Sequence, residues 1–529
     1  MQEFEEKVII ESTGDLLSHS DIYSSLPVES SSSSGSSLQL STGRGPFTVE
    51  TVHGAVFPET IQLESTVQIK FVIRGKVYTG NELEFSSRDG SVSFTAASPL
   101  RLLPKIILRD TSSIVNDFQG ITVQEIIDFL AETGNALTFE RNPLMQEACK
   151  LSIPFNGLTP SIIEASYRQV PMFFSPPILK QMVENEIGSR FLDGWVEVPV
   201  LAGRAKVRAY GAKALHIIAG NVPLVAALSV IRGALTKSDN IIKLPSNDPL
   251  TATAILETMR DIDKTHPVVK HFSAVYWKGG DQEFERRLVT PFNLEKIIAW
   301  GGHNSIKNIK SLVGPGIDLI TLDPKFSISI IGEEAFESDA SMIIAAFRAA
   351  NDSAAYNQEA CVTSRTHFVK TTPEKAAMYS RYLYMYMQEQ DPSLSTRPKS
   401  FPASLKENID SLRFMEGFYE VIGGEHGEGA VITSLAGEPV EFFPSCKTVN
   451  VIPIDDYQEA LEMVTVATQT VGIYPESLKD KLMDELVARG VQRFVSLGQA
   501  AGGMVGVPHD AMEPMRRACK WIVNEISVP

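Results

Sequence analysis

The sequence predicts an α/β protein: two successive α/β regions behind an N-terminal extension that is first β-rich and then helical. Three observations predict it. After Tyr210, apolar strand-like runs at 215–218, 241–243, 272–276 and 296–300 alternate with helix-like segments, the rhythm of βαβ units on a parallel sheet. A second such series starts at about Asp318, with IDLITL, SISII, THFV and TVNVIPI as its strands. Between about Thr51 and Thr95, β-branched residues alternate in VQIKFVI, KVYTG, LEFSS and SVSFT. The 529 residues, 43% hydrophobic and 21% charged, hold enough apolar material for several cores and exclude a small binding module or a disordered chain.

In chain order, residues 1–50 are acidic against only Lys7 and Arg44 and carry the run SSSSSGSS, so they bury little and are expected to form a mobile arm. Residues 51–190 form the extension. Its first part reads as one small antiparallel unit with a turn at Arg88-Asp89-Gly90. Thr122 and Glu125 then make a capping box ahead of EIIDFLAE, Gly134-Asn135 supplies the stop, and helical character runs on through about 180–187. Residues 191–317 and 318–500 are the two α/β regions, and 501–529 is a segment that returns to the core. The stretch 214–235 is long enough to cross a bilayer, but His216, Asn221, Pro223 and Arg232 make it a buried strand, a turn and a buried helix. The helix expected at 372–388, rich in Met and Tyr, reads as core and interface packing.

Forty-eight Lys and Arg against 64 Asp and Glu leave a net charge of −16, which repels phosphate backbones and anionic membrane surfaces and makes nucleic acid a poor partner. The four cysteines lie far apart with no CxxC pair, so neither a metal site nor a disulfide framework is signalled. The chain starts MQEFEEKVII, acidic and without an apolar stretch before a cleavage site; a cytoplasmic location is expected.

Four segments carry candidate chemistry. Gly220-Asn221-Val222-Pro223 leaves a buried strand and opens a helix, which suits the Asn221 amide to donate into a crevice; a lone Asn in a turn ordinarily satisfies local backbone. Lys243 ends the next strand, ahead of Ser246-Asn247-Asp248-Pro249, within reach of a ribose or phosphate unless it snorkels to the surface. Trp300-Gly301-Gly302-His303 offers backbone N–H groups to a diphosphate without matching GxGxxG. Cys361, in NQEACVTSR, would by itself read as a small core residue, but Asn357, Gln358 and Arg365 supply the hydrogen-bonding company a thiolate needs.

Taken together, Asn221, Lys243, Gly301-Gly302 and Cys361 stand in the order and spacing of the aldehyde dehydrogenase superfamily. Within it, AGNVPLVAALSVIRGALTKSDNIIKLPSNDP and the terminal GVPHDAMEPMRRACKW resemble the long-chain acyl-CoA or acyl-protein thioester reductases of bacterial luminescence type, over about 171–521. The resemblance implies a Rossmann-like cofactor domain plus an α/β catalytic domain. It also implies Cys361 as acyl acceptor, Asn221 with the Cys361 N–H as oxyanion hole, Lys243 and Ser246 along the adenosine ribose, and Gly301 and Gly302 beside the diphosphate. Glu441-Phe442-Phe443 looks like the segment that holds the nicotinamide ribose, so Glu441 and Phe443 join the cofactor set. Ser246 stands where many NAD-using relatives carry a Glu that repels a 2′-phosphate, which implies NADPH as cofactor. The substrate implied is acyl-CoA or an acyl carrier protein, the partner an acyl-protein synthetase or acyltransferase, and the assembly a homo-oligomer. Pro508-His509-Asp510 is shared with the luminescence-type reductases and has no role beyond a site edge or interface.

One departure bears on the reaction. Hydrolytic aldehyde dehydrogenases carry a Glu four residues before the lysine of an ELGGK motif, and here Thr321 stands there, in TLDPK. A threonine is no general base near neutral pH, so a thiol or a hydride must discharge the acyl-enzyme. Glu359, Glu333 and Glu334 are the carboxylates able to upset this. Three rivals stay open: a cysteine acyltransferase without hydride transfer, an oxidative aldehyde dehydrogenase or acyl-phosphate reductase of the same fold, and an inactive scaffold.

Overall fold

The computed structural model describes residues 40–42, 45–47, 66–201, 203–503 and 505–526. The arm expected at 1–50 lies outside them, apart from a two-stranded antiparallel ribbon of Leu40–Thr42 with Gly45–Phe47.

Two seven-stranded sheets dominate the rest. The first runs Asp318–Leu322, Lys296–Trp300, Lys213–Ile217, Asp239–Lys243, Phe272–Val275, all parallel, and is extended by the hairpin Phe71–Ile73 and Lys76–Tyr78. Its central strands read as unbroken apolar runs because helices cover both faces: Leu215, Ile242 and Ile297 are fully buried. Each such side chain contributes about 1.5–3 kcal/mol of burial. The stretch 214–235 is the strand, turn and buried helix (Leu224–Leu235) that its polar residues require. No helix among the described residues is long and apolar enough to cross a membrane.

The second sheet runs Tyr419–Gly423, Ala430–Ser434, Thr448–Pro453, Ser364–Val369, Phe326–Ile331, Thr468–Tyr474, Arg493–Ser496 and is parallel apart from its first pair. Against it lie the helices Asp339–Ala354 and Pro373–Gln388, where Ala345, Ala346, Ala349 and Ala350 leave room for Tyr379, Leu383 and Met387. The chain's last described strand, Lys520–Ile526, pairs with Gly203–Tyr210 in a third, antiparallel sheet with Val196–Val200.

Three local expectations change. Asp318–Leu322, expected to begin the second α/β region, is the edge strand of the first sheet: the helix His303–Leu312 returns the chain for one more parallel pairing beside Lys296–Trp300, and the crossing to the second sheet comes at Asp323-Pro324-Lys325. The single antiparallel unit expected at 51–95 divides at Lys70. Val67–Ile69 joins a small mixed sheet with Ser93–Ala96 and Leu83–Ser86, while Phe71–Ile73 joins the large one; residues 51–65 lie outside the described ones. Gly134-Asn135 does not stop its helix, which runs Val123–Ala136 behind the expected Thr122–Glu125 capping box. Gly134 is there for close packing, since a Cβ on it would stand 2.5 Å from that of Phe174.

Candidate active site

The carboxyl ends of the first sheet meet the amino ends of the second, and Cys361 lies where they meet. Its loop leaves the helix Asp339–Ala354 through three consecutive non-glycine residues in left-handed backbone, Tyr356, Asn357 and Gln358, at φ 52°, 49° and 68°. Each costs about 1–2 kcal/mol, so the loop must be held from outside. Asn357 Oδ1 accepts from the Thr396 N–H at 2.8 Å and the Ser395 hydroxyl at 3.2 Å. Gln358 Nε2 donates to the carbonyls of Ser364 and Thr448 at 3.1 and 2.9 Å, and the Arg365 fork donates to those of Pro444 and Gln358, each at 2.6 Å. Ser327 donates to the Cys361 carbonyl at 2.7 Å. The polar residues expected to accompany the thiolate therefore hold the backbone that presents it. Asn357, Gln358 and Arg365 direct their hydrogen bonds to main chain and neighbouring hydroxyls, not to sulfur.

Cys361 itself is exposed to solvent. Protein walls around it raise its thiol pKa, the nearby charge of Asp510 adds to the rise, and the polar Gln469 side chain opposes it. Asn221 reaches across from the first sheet, its Nδ2 donating to the Glu359 carbonyl at 3.3 Å while its Oδ1 is buried without a partner among the described residues. Asn156, which sequence reasoning did not single out, fixes the Asn221 loop: its Nδ2 donates to the Gly220 carbonyl at 2.9 Å and lies 3.4 Å from that of Asn247. A Cβ on Gly220 would sit 2.3 Å from Asn247 Oδ1 and 2.8 Å from Pro245 Cγ, so a larger residue there would displace the turn after Lys243.

The remaining predicted residues fall into two groups. Lys243 ends its strand with the ammonium 5.3 Å from the Trp277 ring centre and 5.8 Å from that of Tyr276, and makes no salt bridge among the described residues. Burial pushes its pKa down to about 8. Ser246 follows in the turn beyond it. Gly302 caps the helix His303–Leu312 with open space where a side chain would be, and Gly301 sits 3.1 Å by its missing Cβ from Ser305. On the second-sheet side, Phe443 lies beneath Arg365, 4.6 Å from guanidinium to ring centre, whereas Glu441 is exposed.

A family model described as Acyl-CoA reductase (LuxC) matches residues 118–521. The chain belongs to the LuxC acyl-CoA reductase family. The long-chain acyl-protein thioester reductase of Photorhabdus laumondii is 28% identical over 480 residues, covering 87% of this chain and 94% of the relative; long-chain acyl-protein thioester reductase 2 of Photobacterium leiognathi is 27% identical over 430 residues, covering 80% and 87%. The fold is that of the aldehyde dehydrogenases. The NADP-dependent glyceraldehyde-3-phosphate dehydrogenase of Bacillus halodurans, solved with NADP, superposes with a TM-score of 0.64 at 13% identity, covering 87% of this chain and 99% of that one.

In this LuxC-family oxidoreductase two of the three candidate glutamates, Glu333 and Glu334, lie away from the thiol. Glu333 and Glu334 follow the carboxyl end of Phe326–Ile331, whose amino end carries Ser327 beside Cys361, so roughly 15–20 Å of strand separates them from it. Glu359 acts electrostatically on Arg365 and Cys446. The carboxylate that bears on the thiol is Asp510, from the Pro508-His509-Asp510 motif that sequence alone left without a role.

Proposed function

We propose that this reductase converts a fatty acyl thioester, acyl-CoA or an acylated carrier protein, to the aldehyde with NADPH, through an acyl group carried on Cys361. The observation that supports it most is an exposed cysteine whose loop meets Asn221, through the Glu359 carbonyl, where the two sheets adjoin. Cys361 attacks the thioester carbonyl. The oxygen that becomes negative lies between Asn221 Nδ2 and the Cys361 N–H, donors already fixed before the reaction. The departing thiolate leaves without metal assistance, because exchanging one thioester for another is close to thermoneutral.

The residues at the carboxyl ends of the first sheet fit a dinucleotide. Strand order reverses between Lys213–Ile217 and Lys296–Trp300, so the Asn221 loop and the Gly301-Gly302 turn flank a switch-point crevice of the kind that takes ligands in open parallel sheets. A ten-residue helix starts at the glycine pair, and Lys243 is a half-buried cation with no ion pair among the described residues. Lys243 and Ser246 would hold the phosphorylated ribose, Gly301 and Gly302 the diphosphate, and Glu441 with Phe443 the nicotinamide ribose. When bound, the reduced cofactor supplies the hydride. Ser246 places no carboxylate against a 2′-phosphate, which favours NADPH over NADH. Thr321, on the edge strand of the first sheet, supplies no base for water, which favours reduction over hydrolysis.

The test is to mix the protein with NADPH or NADH and a series of acyl-CoAs of increasing length while following absorbance of the reduced cofactor. Thioester-dependent oxidation of NADPH with aldehyde as product is expected. Cofactor-independent transfer of the acyl group to another acceptor would move the assignment to an acyltransferase.

A further inference from the structure

The C-terminal segment brings a second pair of polar side chains to Cys361. His509 and Met512 form an antiparallel bridge closed by Asp510 and Ala511, both left-handed at φ 50° and 57°. Alanine gains nothing locally from that conformation, so the turn is held from outside. The His509 ring lies 5.3 Å from Trp300 at the end of the first sheet, and Asn185 donates to the Gly506 carbonyl at 2.6 Å. The turn directs Asp510, its side chain 6% exposed, at the start of Thr468–Tyr474, where Gln469 Nε2 donates to Asp510 Oδ1 at 2.6 Å.

The next residue, Thr470, donates its N–H to Ser327 Oγ at 3.2 Å, and that hydroxyl donates to the Cys361 carbonyl at 2.7 Å, so Gln469 stands beside the Cys361 loop; its side chain acts on the thiol in the sense that favours the thiolate, and its Oε1 is buried with no partner among the described residues. The Asp510 carboxylate and the Cys361 loop therefore meet at the start of this strand, where a proton can pass directly or through one water. Burial and the Asp510 charge both raise the thiol pKa, so Cys361 rests protonated near neutral pH and its attack requires a base. Arg493 and Arg365 act electrostatically on the thiol and Arg232 on Asp510, while Glu359, two residues before Cys361, is a further carboxylate of the loop and acts on Arg365. His509 adjoins Asp510, and burial pushes its pKa down to about 4, so it is neutral there.

We propose that Asp510 is the base that takes the Cys361 proton as the acyl group arrives, with Gln469 holding carboxylate and sulfur in register. The inference rests on Cys361 as the nucleophile. The S–H bond breaks as the bond from sulfur to the acyl carbon forms, and the proton passes to Asp510. The thioester C–S bond then breaks, and the departing thiolate takes that proton, so the carboxylate is restored with no net oxidation or reduction.

The test is single-turnover acylation by palmitoyl-CoA without cofactor, beside the pH profile of iodoacetamide alkylation at Cys361. In the near-isosteric Asp510→Asn, acylation at pH 7 should fall about a hundredfold or more, the usual loss for a general base. Its alkylation midpoint should meanwhile move to lower pH, because a neighbouring negative charge has gone. Gln469→Ala should slow acylation at least tenfold and move the midpoint upward. Acylation of Asp510→Asn at the wild-type rate, or faster in step with its larger thiolate fraction, overturns the proposal while leaving Cys361 as nucleophile. A wild-type Cys361 that alkylates but never takes an acyl group brings down both.

Discussion

Asn221 and Lys243 are the residues whose bland and chemical roles differ most, and each yields a measurement. If Asn221 only ties its loop to the Glu359 carbonyl, Asn221→Ala should leave acylation nearly intact. As an oxyanion donor its loss should slow acylation roughly a hundredfold to a thousandfold with a smaller effect on substrate binding, which single-turnover kinetics separate. Lys243 has a folded pKa depressed from 10.5 to about 8. Between those values the unfolded chain holds the proton and the folded one does not, so this group's contribution to stability rises with pH across that window, and below pH 8 the buried charge is a cost. For a phosphorylated cofactor the sign is the opposite. The charge that attracts it is lost above about pH 8, so NADPH affinity should weaken there by up to roughly tenfold per pH unit, and Lys243→Met should bind more weakly with a flat profile. Fluorescence titration from pH 7 to 10 measures both; a flat wild-type profile removes Lys243 from the cofactor's phosphate.

At the scale of elements, the loop before Cys361 is held by side chains because its backbone conformation is unfavourable. Asn357→Ala removes the acceptor of the Thr396 N–H and the Ser395 hydroxyl and puts alanine at φ 49°. Urea unfolding should show a loss of about 2–4 kcal/mol, with the midpoint lowered at constant slope; a loss under about 0.5 kcal/mol would mean the loop does not need this brace. Little of this was legible in sequence. Tyr-Asn-Gln carries no glycine to announce a left-handed run, and Asn357, Gln358 and Arg365 looked like company for sulfur because composition does not say which way an amide points. Periodic elements were legible: the strands ending at Lys243 and Trp300, the capping box of Thr122 and Glu125, and the turn at Asn221 all follow from local pattern. Pairing was less so. The apolar run at 318–322 reads alike in either sheet, and only the parallel register beside Lys296–Trp300 decides between them.

For the whole molecule, the site is made by bringing distant segments to one place. Asn221 arrives from the first sheet, Cys361 and Gln469 from the amino ends of the second, and Asp510 from a segment that then returns to pair Lys520–Ile526 with Gly203–Tyr210. The order Asn221, Lys243, Gly301-Gly302, Cys361 was readable because each stands in a motif at a strand end; Gln469 and Asp510 were not, since nothing near Gln469 marks it and the partner of the His509-Asp510 turn lies on another element. The central claim is that Cys361 carries the acyl group between thioester and aldehyde. Intact-protein mass spectrometry after mixing with palmitoyl-CoA and no cofactor tests it most directly. A single acyl adduct located on Cys361 is expected, absent in Cys361→Ser, which disappears when NADPH is added as an equivalent amount of aldehyde forms. Aldehyde production without an adduct in wild type, or an adduct on Cys361→Ser that NADPH discharges equally well, would contradict it.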